Sequence, residues 1–374
     1  MNLNPEHAAR EILRKADITI GGDRPGDITV HDHRFYGRVL RGGSLALGES
    51  YMDGWWDANG LDVFFTKLLS SDSVRKEMGT YLPAMLNAYV SHFMNRQEMK
   101  RSLKSVQAHY DIGNDLYTRM LDKRMAYTCA YWKDAKNVDE AQEAKFDLVC
   151  RKIGLQPGMT VLDLGCGWGC FSKFAAEKYG AKVLGVTLSK EQVALGMEMC
   201  AGLPVELRLQ DYRDVSGTFD RVVSIGLLEH VGYKNYREFF EVMSRTSKDP
   251  NAPALIHTIG GNHSATAIDP WIDKYIFPNA QLPSIAQLSK AMEKLFVMED
   301  WHNIGPHYDK TLMAWHENFM STWDEIQPKY GDRFRRMWEY YLLCCAGTFR
   351  SRYNQLWQVV ISKKGVPGGY TTVR

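Results

Sequence analysis

Val161-Leu162-Asp163-Leu164-Gly165-Cys166-Gly167-Trp168-Gly169 is a short apolar run that stops abruptly in three alternating glycines. Such a run reads as the first strand of a nucleotide-binding α/β domain, followed by a turn where the backbone passes close to a ligand. Glycine suits that turn because it lacks Cβ, tolerates positive φ and lets a ligand touch the main chain. Asp163 falls two residues before the first glycine, near the mouth of the sheet. Dinucleotide dehydrogenases use a related turn, but with the spacing Gly-x-Gly-x-x-Gly. The Gly-x-Gly-x-Gly pattern here reads as a site for S-adenosylmethionine (SAM).

Outward from the turn, apolar strands alternate with helical segments. The candidate strands are Thr160–Leu164, Lys182–Thr187, Val205–Leu209, Arg221–Ile225, Ala254–Ile259, Phe296–Trp301 and Leu356–Ile361. Helical patterns cover Phe171–Lys178, Lys190–Ala201, Tyr236–Ser244 and Ile285–Lys294. Alternation of this kind predicts an α/β fold: a doubly wound, mostly parallel, seven-stranded Rossmann-like sheet with helices on both faces. Ligands of such sheets sit beyond the carboxyl ends of the strands, at the switch point, which here is the first glycine turn. Two further helical stretches, Thr311–Glu325 and Asp332–Arg350, precede the last strand and are positioned to roof a pocket.

Residues 1–90 form a smaller, mainly helical N-terminal domain. It has a short helix over Glu6–Ala16, a strand over Asp27–Val30 and a helix over Leu61–Leu69, whose apolar residues recur at i, i+3, i+4, i+7 and i+8. Residues 83–108 read as one long helix, of which 91–108 link this domain to a catalytic domain over 109–374. Met85, Leu86, Tyr89 and Phe93 make an apolar stripe, and Arg96, Lys100, Arg101 and Lys104 add positive charge. A solvated connecting helix is the simpler reading of that pattern; contact with an anionic membrane surface is the other.

The composition excludes several classes. With 46 basic against 44 acidic residues, no global charge argues for nucleic acid. No stretch approaches the roughly 18 apolar residues of a membrane span. Met1–His7 lacks the basic start and apolar core of a secretory signal. The seven cysteines, Cys129, Cys150, Cys166, Cys170, Cys200, Cys344 and Cys345, form no Cys-x-x-Cys pair and fit reduced thiols in a cytosol. No metal set is expected. Ten tryptophans and nineteen tyrosines would suit either a large core or a pocket for an apolar or cationic ligand.

Several segments together resemble the cyclopropane-fatty-acyl-phospholipid synthases. They are His109–Asp115, Leu47–Trp56, Tyr127–Trp132, Leu162–Gly169, Gln210–Asp214, Glu229–Gly232, Asp269–Ile272 and Leu356–Val360, which span almost the whole chain. The long N-terminal part resembles the bacterial phospholipid enzymes and not their shorter mycolic-acid relatives. The resemblance implies transfer of a methylene group from SAM to the cis double bond of a phospholipid acyl chain. It also implies a catalytic bicarbonate ion, a homodimer, and a cytoplasmic protein reversibly associated with the inner face of the membrane.

For the cofactor, the resemblance implies contacts from Tyr127 and Thr128, with threonine standing where the family has serine. Gly165, Cys166 and Gly167 would pass beneath the methionine part of SAM, beside Asp163. Many methyltransferases end the second strand in an acidic residue that binds the ribose. Thr187 and Leu188 stand there instead, so Gln192 is the ribose candidate. Asp211 and Tyr212 would border the adenine, although Tyr212 and Trp168 also suit plain core packing. Ser189 reads as a helix N-cap.

An isolated alkene is a poor nucleophile, so the methyl group must be held in line with it in a dry pocket. Methyl transfer leaves positive charge on the acyl chain; a base then removes a proton so that the ring closes, while water is excluded. Trp271, Tyr275, Phe277 and Tyr308 are candidates for stabilising that charge. The resemblance assigns bicarbonate binding to Cys129, Glu229, His257, Tyr308 and the backbone of Ile259. An anion in an apolar pocket needs such convergent donors. Cys345 matches a cysteine sometimes described as the family's nucleophile, but no step requires a covalent thiol and no activating partner adjoins it, which favours packing. The competing readings are an enzyme that leaves a methyl branch, a small-molecule methyltransferase, and a non-catalytic lipid carrier.

Overall fold

The computed structural model describes residues 4–74 and 113–374. The expected 83–108 helix with its basic residues, and His109–Ile112 of the first family segment, lie outside the described residues. The chain forms two compact units. One gathers the N-terminal residues with Thr266–Pro278 and Tyr308–Asn354; the other holds the remainder.

In the first unit, the helix Pro5–Arg14 starts at Asn4, whose side chain accepts the Glu6 N–H, with proline in the first turn. Strands β1 (Ile28–Val30) and β2 (Trp56–Ala58) pair antiparallel. The helix Arg34–Met52 joins them and breaks its regular geometry at Gly43, where φ is 56°. Leu61–Ser70 is helical and buries Leu61, Phe64, Phe65 and Leu68, the face its periodicity predicts. The long helix Asp332–Arg350 packs against it closely enough that a Cβ on Gly347 would lie 2.5 Å from Phe65 Cβ. The short helix Pro270–Tyr275 inserts Trp271 over Gly48 in the same way, at 2.3 Å from a Cβ placed there. The stretches expected to roof a pocket thus supply much of this unit's core.

The second unit is built on a seven-stranded sheet of β3 (Thr160–Leu164), β4 (Lys182–Thr187), β5 (Val205–Leu209), β6 (Arg221–Ile225), β7 (Ala254–Gly261), β8 (Val297–Asn303) and β9 (Asn354–Ser362). Their spatial order is β5-β4-β3-β6-β7-β9-β8. The pairs from β5 through β7 are parallel, and β8 runs antiparallel to β9. The winding reverses between β3 and β6, which is the switch point.

Alternate residues of these strands feed two separate cores. Leu162, Leu164, Val186 and Val222 pack with Tyr236, Phe239 and Phe240 of the helix Tyr236–Thr246 and with Leu288 of the helix Ile285–Met292. Val161, Val183, Val205 and Val223 pack with Phe171 and Phe174 of the helix Cys170–Tyr179 and with Phe146 and Val149 of the helix Val138–Lys152. Burial on both faces is why the strands read as unbroken apolar runs.

Candidate active site

At the carboxyl end of β3 the chain turns through Gly165, Gly167 and Gly169, all with positive φ (79°, 55° and 76°). The turn is also sterically tight: a Cβ on Gly165 would lie 2.7 Å from Leu227 Cβ. Beside it is a cavity lined by Tyr127, Thr128, Asp163, Gly165, Cys166, Gly167 and Gln192, seven of the residues expected to hold SAM. Trp168 lines it as well, together with Met125, Phe146, Cys170, Phe171, Ile225 and Gly226, of which the sequence had given no indication. Thr187 and Leu188, at the end of β4, and Asp211 and Tyr212, after β5, are not among its lining residues.

Polar groups around the cavity are held by second partners. Gln192 Oε1 accepts the Thr187 hydroxyl at 2.8 Å, and its amide nitrogen would lie 3.8 Å from a Cβ on Gly167. The amide N–H groups therefore face the glycine turn, where a ribose hydroxyl could accept from them. Ser189 caps its helix by accepting the Gln192 N–H. Asp163 accepts the Ser172 hydroxyl at 2.8 Å, and burial pushes its carboxyl up to about 7. Asp211 makes a close pair with Arg213 and caps the turn Tyr212–Asp214. Tyr212 is buried and meets the Phe239 ring edge-on at 5.8 Å. A cradle of glycine backbone with Thr128 and Gln192 at its rim fits SAM.

Next to this cavity, Gly226 follows β6, donates its N–H to His257 O, and adopts φ 77°. The segment then turns into the short helix Leu228–Val231, which carries Glu229. Glu229 Oε1 accepts the Ile259 N–H at 2.7 Å, tying it to β7 two residues beyond His257. Glu229 Oε2 and His257 Nε2 are both buried and have no hydrogen-bond partner among the described residues. Burial raises the Glu229 carboxyl to about 7, partly opposed by the Ile259 N–H. Burial also drives the His257 imidazole well below its ordinary range, so that it is neutral. A neutral imidazole and a carboxyl that keeps its proton below about neutral pH, each with a polar atom unpartnered among the described residues, fit a small anion such as bicarbonate.

Cys129 is buried in the same unit, with its thiol directed at Ala130 O at 3.3 Å. Tyr308 and Cys345 belong to the other unit. There Tyr308 packs on Phe349 with ring centroids 4.6 Å apart. Burial pushes the Cys345 thiol up to about 12, which leaves it protonated at neutral pH. Trp271 packs on Tyr340 at 4.5 Å, Phe277 meets Tyr341 at 5.8 Å, and the Tyr275 hydroxyl bonds Glu49 at 2.9 Å.

The helix Val138–Lys152 was missed by the sequence reading and supports the cofactor cavity from behind. Gln142 Nε2 donates to Ala126 O at 3.2 Å and to Thr128 O at 2.8 Å, holding the Tyr127–Thr128 segment. Lys145 is fully buried and donates to Thr128 Oγ1 at 2.7 Å.

Comparison with known proteins agrees with this geometry. Residues 97–359 match the family model of mycolic acid cyclopropane synthetase. The chain is 50% identical over 366 residues to the cyclopropane-fatty-acyl-phospholipid synthase of Escherichia coli K12, covering 98% of this chain and 95% of that protein. It is 34% identical over 355 residues to the tuberculostearic acid methyltransferase UfaA1 of Mycobacterium tuberculosis, covering 88% of this chain and 81% of that one. Among solved structures, mycolic acid cyclopropane synthase CmaA1 complexed with SAH and CTAB superposes with a TM-score of 0.65 at 34% identity, over 70% of this chain and 98% of that one. The chain belongs to the mycolic acid cyclopropane synthetase family, a family of SAM-dependent enzymes.

Proposed function

We propose that this enzyme adds a methylene group from SAM across the cis double bond of a phospholipid acyl chain, closing a cyclopropane ring with bicarbonate as the base. The observation that carries the reading is the pair of buried atoms without a partner among the described residues, Glu229 Oε2 and His257 Nε2, the second on a residue whose carbonyl is bonded by the cavity-lining Gly226. Similarity to the Escherichia coli synthase along nearly the full length of both chains supports the lipid substrate. When bound, SAM supplies an activated methyl group and bicarbonate a proton acceptor.

This chain's residues do the remaining work. Gly165, Cys166 and Gly167 let the cofactor lie against the backbone, with Asp163, Tyr127 and Thr128 alongside. Gln192 offers amide hydrogens to the ribose, while Thr187 and Leu188 shape the end of β4 and Asp211 and Tyr212 border the adenine. Glu229, His257 and the backbone at Ile259 hold the anion, with Cys129 from the same unit. Apolar walls such as Phe146 and Ile225 keep water from the positive charge that builds on the acyl chain.

The enzyme acts as a homodimer at the cytoplasmic face of the membrane, reached by reversible contact through its N-terminal part and the basic residues Arg96, Lys100, Arg101 and Lys104. No described helix is long and apolar enough to cross a membrane. Flotation with anionic liposomes after neutralising those four charges tests the docking, and unchanged binding would remove them from it. Carbonate depletion tests the base: native activity should fall and return on adding bicarbonate. Glu229→Gln should show no such response, and a variant as active as native enzyme without carbonate would overturn the assignment.

A further inference from the structure

Lys145 is an ammonium buried at 0% exposure in the wall behind the cofactor cavity. A charge in that position is costly unless an opposite charge or several acceptors compensate it. Its hydrogen-bond acceptor is neutral: Thr128 Oγ1, at 2.7 Å. The two carboxylates whose fields reach it, Asp122 and Asp163, are engaged elsewhere. Asp122 accepts the N–H groups of Arg124 and Ala126 at 2.9 and 2.8 Å, and Asp163 takes the Ser172 hydroxyl. Among the described residues no carboxylate forms an ion pair with Lys145.

The ammonium lies 4.1 Å over the Phe146 ring, and its hydrogen bond to Thr128 links it to the cavity wall. A threonine oxygen that accepts from an ammonium turns its own O–H proton away from that donor. Thr128 lines the cavity, and its backbone is fixed by Gln142 from the same helix. Its methyl group faces Gly226, where a Cβ would lie 2.7 Å from Cγ2. The ligand that completes this arrangement is an anion next to Thr128, and the anionic group of SAM is the carboxylate of its methionine end.

We propose that Lys145 is the positioning cation for that carboxylate, acting through Thr128, and that it makes the site select ligands carrying it. This rests on the cofactor reading and adds to it a residue with no motif of its own. Burial also lowers the lysine to about 8, so its charge, and with it the selectivity, fades as the solution becomes alkaline.

The test is calorimetric binding of S-adenosylhomocysteine and of its decarboxylated analogue, which keeps the amine. In Lys145→Met, affinity for S-adenosylhomocysteine should fall about tenfold or more, as expected for a lost charge-assisted hydrogen bond, while the analogue binds as before or more tightly. Thr128→Val, which keeps the lysine and the side-chain shape, should show the same selective loss and stands in if Lys145→Met melts. Equal weakening of both ligands, or of neither, overturns the proposal and leaves the cofactor reading intact. Failure of the native protein to bind either nucleoside would overturn the cofactor reading itself.

Discussion

Gln358 Nε2 lies 3.3 Å from His257 Nδ1, with both side chains buried. An amide nitrogen donates and cannot accept, so the facing imidazole nitrogen is the acceptor and the ring proton sits on Nε2, the atom without a partner. Gln358 on β9 thereby leaves His257 Nε2 as a hydrogen-bond donor, the role that the proposed anion site asks of it. Gln358→Leu should lower turnover about tenfold, as loss of an orienting partner does elsewhere. Nitrogen-15 NMR should show the proton on His257 Nε2 in the native enzyme and a mixture of tautomers in the variant. A native spectrum with the proton on Nδ1 would refute the assignment.

Glu229 makes stability depend on pH in a defined direction. Its carboxyl is raised from 4.5 to about 7 by burial, so the folded chain keeps a proton that the unfolded chain releases. That contribution is complete below the unfolded value and is lost as pH rises through the folded one. Glu229→Gln stays neutral throughout. In urea unfolding it should nearly match the native protein at about pH 5 and exceed it by about 3 kcal/mol at about pH 8. A gap that does not grow with pH contradicts this.

Gly226→Ala is expected to damage cofactor binding. The new methyl would sit 2.7 Å from Thr128 Cγ2, on a backbone already at φ 77°. SAM affinity should drop about tenfold or more. Adding Thr128→Ser removes the offending methyl but not the backbone strain, so it should restore only part of the loss. Complete rescue would mean that the backbone conformation costs nothing.

Cys345→Ala should retain turnover within about twofold of native, because a thiol held protonated by burial is a poor nucleophile. A bulky alkyl group on the same cysteine can still disturb the surrounding packing. Loss of activity in the alanine variant with an unchanged melting temperature would restore a chemical role for the thiol.

The sheet was legible in the sequence because its buried strands carry continuous apolar runs bounded by turn residues. The first four, Thr160–Leu164 to Arg221–Ile225, begin and end where the pattern placed them. Besides the short helices Asn114–Met120, Leu228–Val231 and Pro270–Tyr275, two longer ones escaped, for opposite reasons. Arg34–Met52 contains Gly37, Gly42, Gly43 and Gly48, which read as breaks; Gly48 is there because Trp271 needs the space. Val138–Lys152 buries Gln142, Lys145 and Lys152 among its apolar residues, so its inward face does not look hydrophobic. Gln142 and Lys145 reach the Thr128 segment at the cavity, whereas Lys152 bonds His302.

Residues on the glycine turn and in the family segments were likewise readable. Gln358 and Lys145 were not, since their meaning depends on His257 and Thr128 lying opposite them in space. Glu229 and His257 could be named from the sequence, but nothing in it exposed the two atoms left without partners.

Product analysis tests the central claim most directly. The enzyme is incubated with SAM, bicarbonate and vesicles of an unsaturated phospholipid, and the fatty esters are examined by proton NMR. The account predicts upfield cyclopropane ring signals growing as the olefinic signals disappear. Methyl-branched esters, or olefinic signals that persist while SAM is consumed, would contradict it.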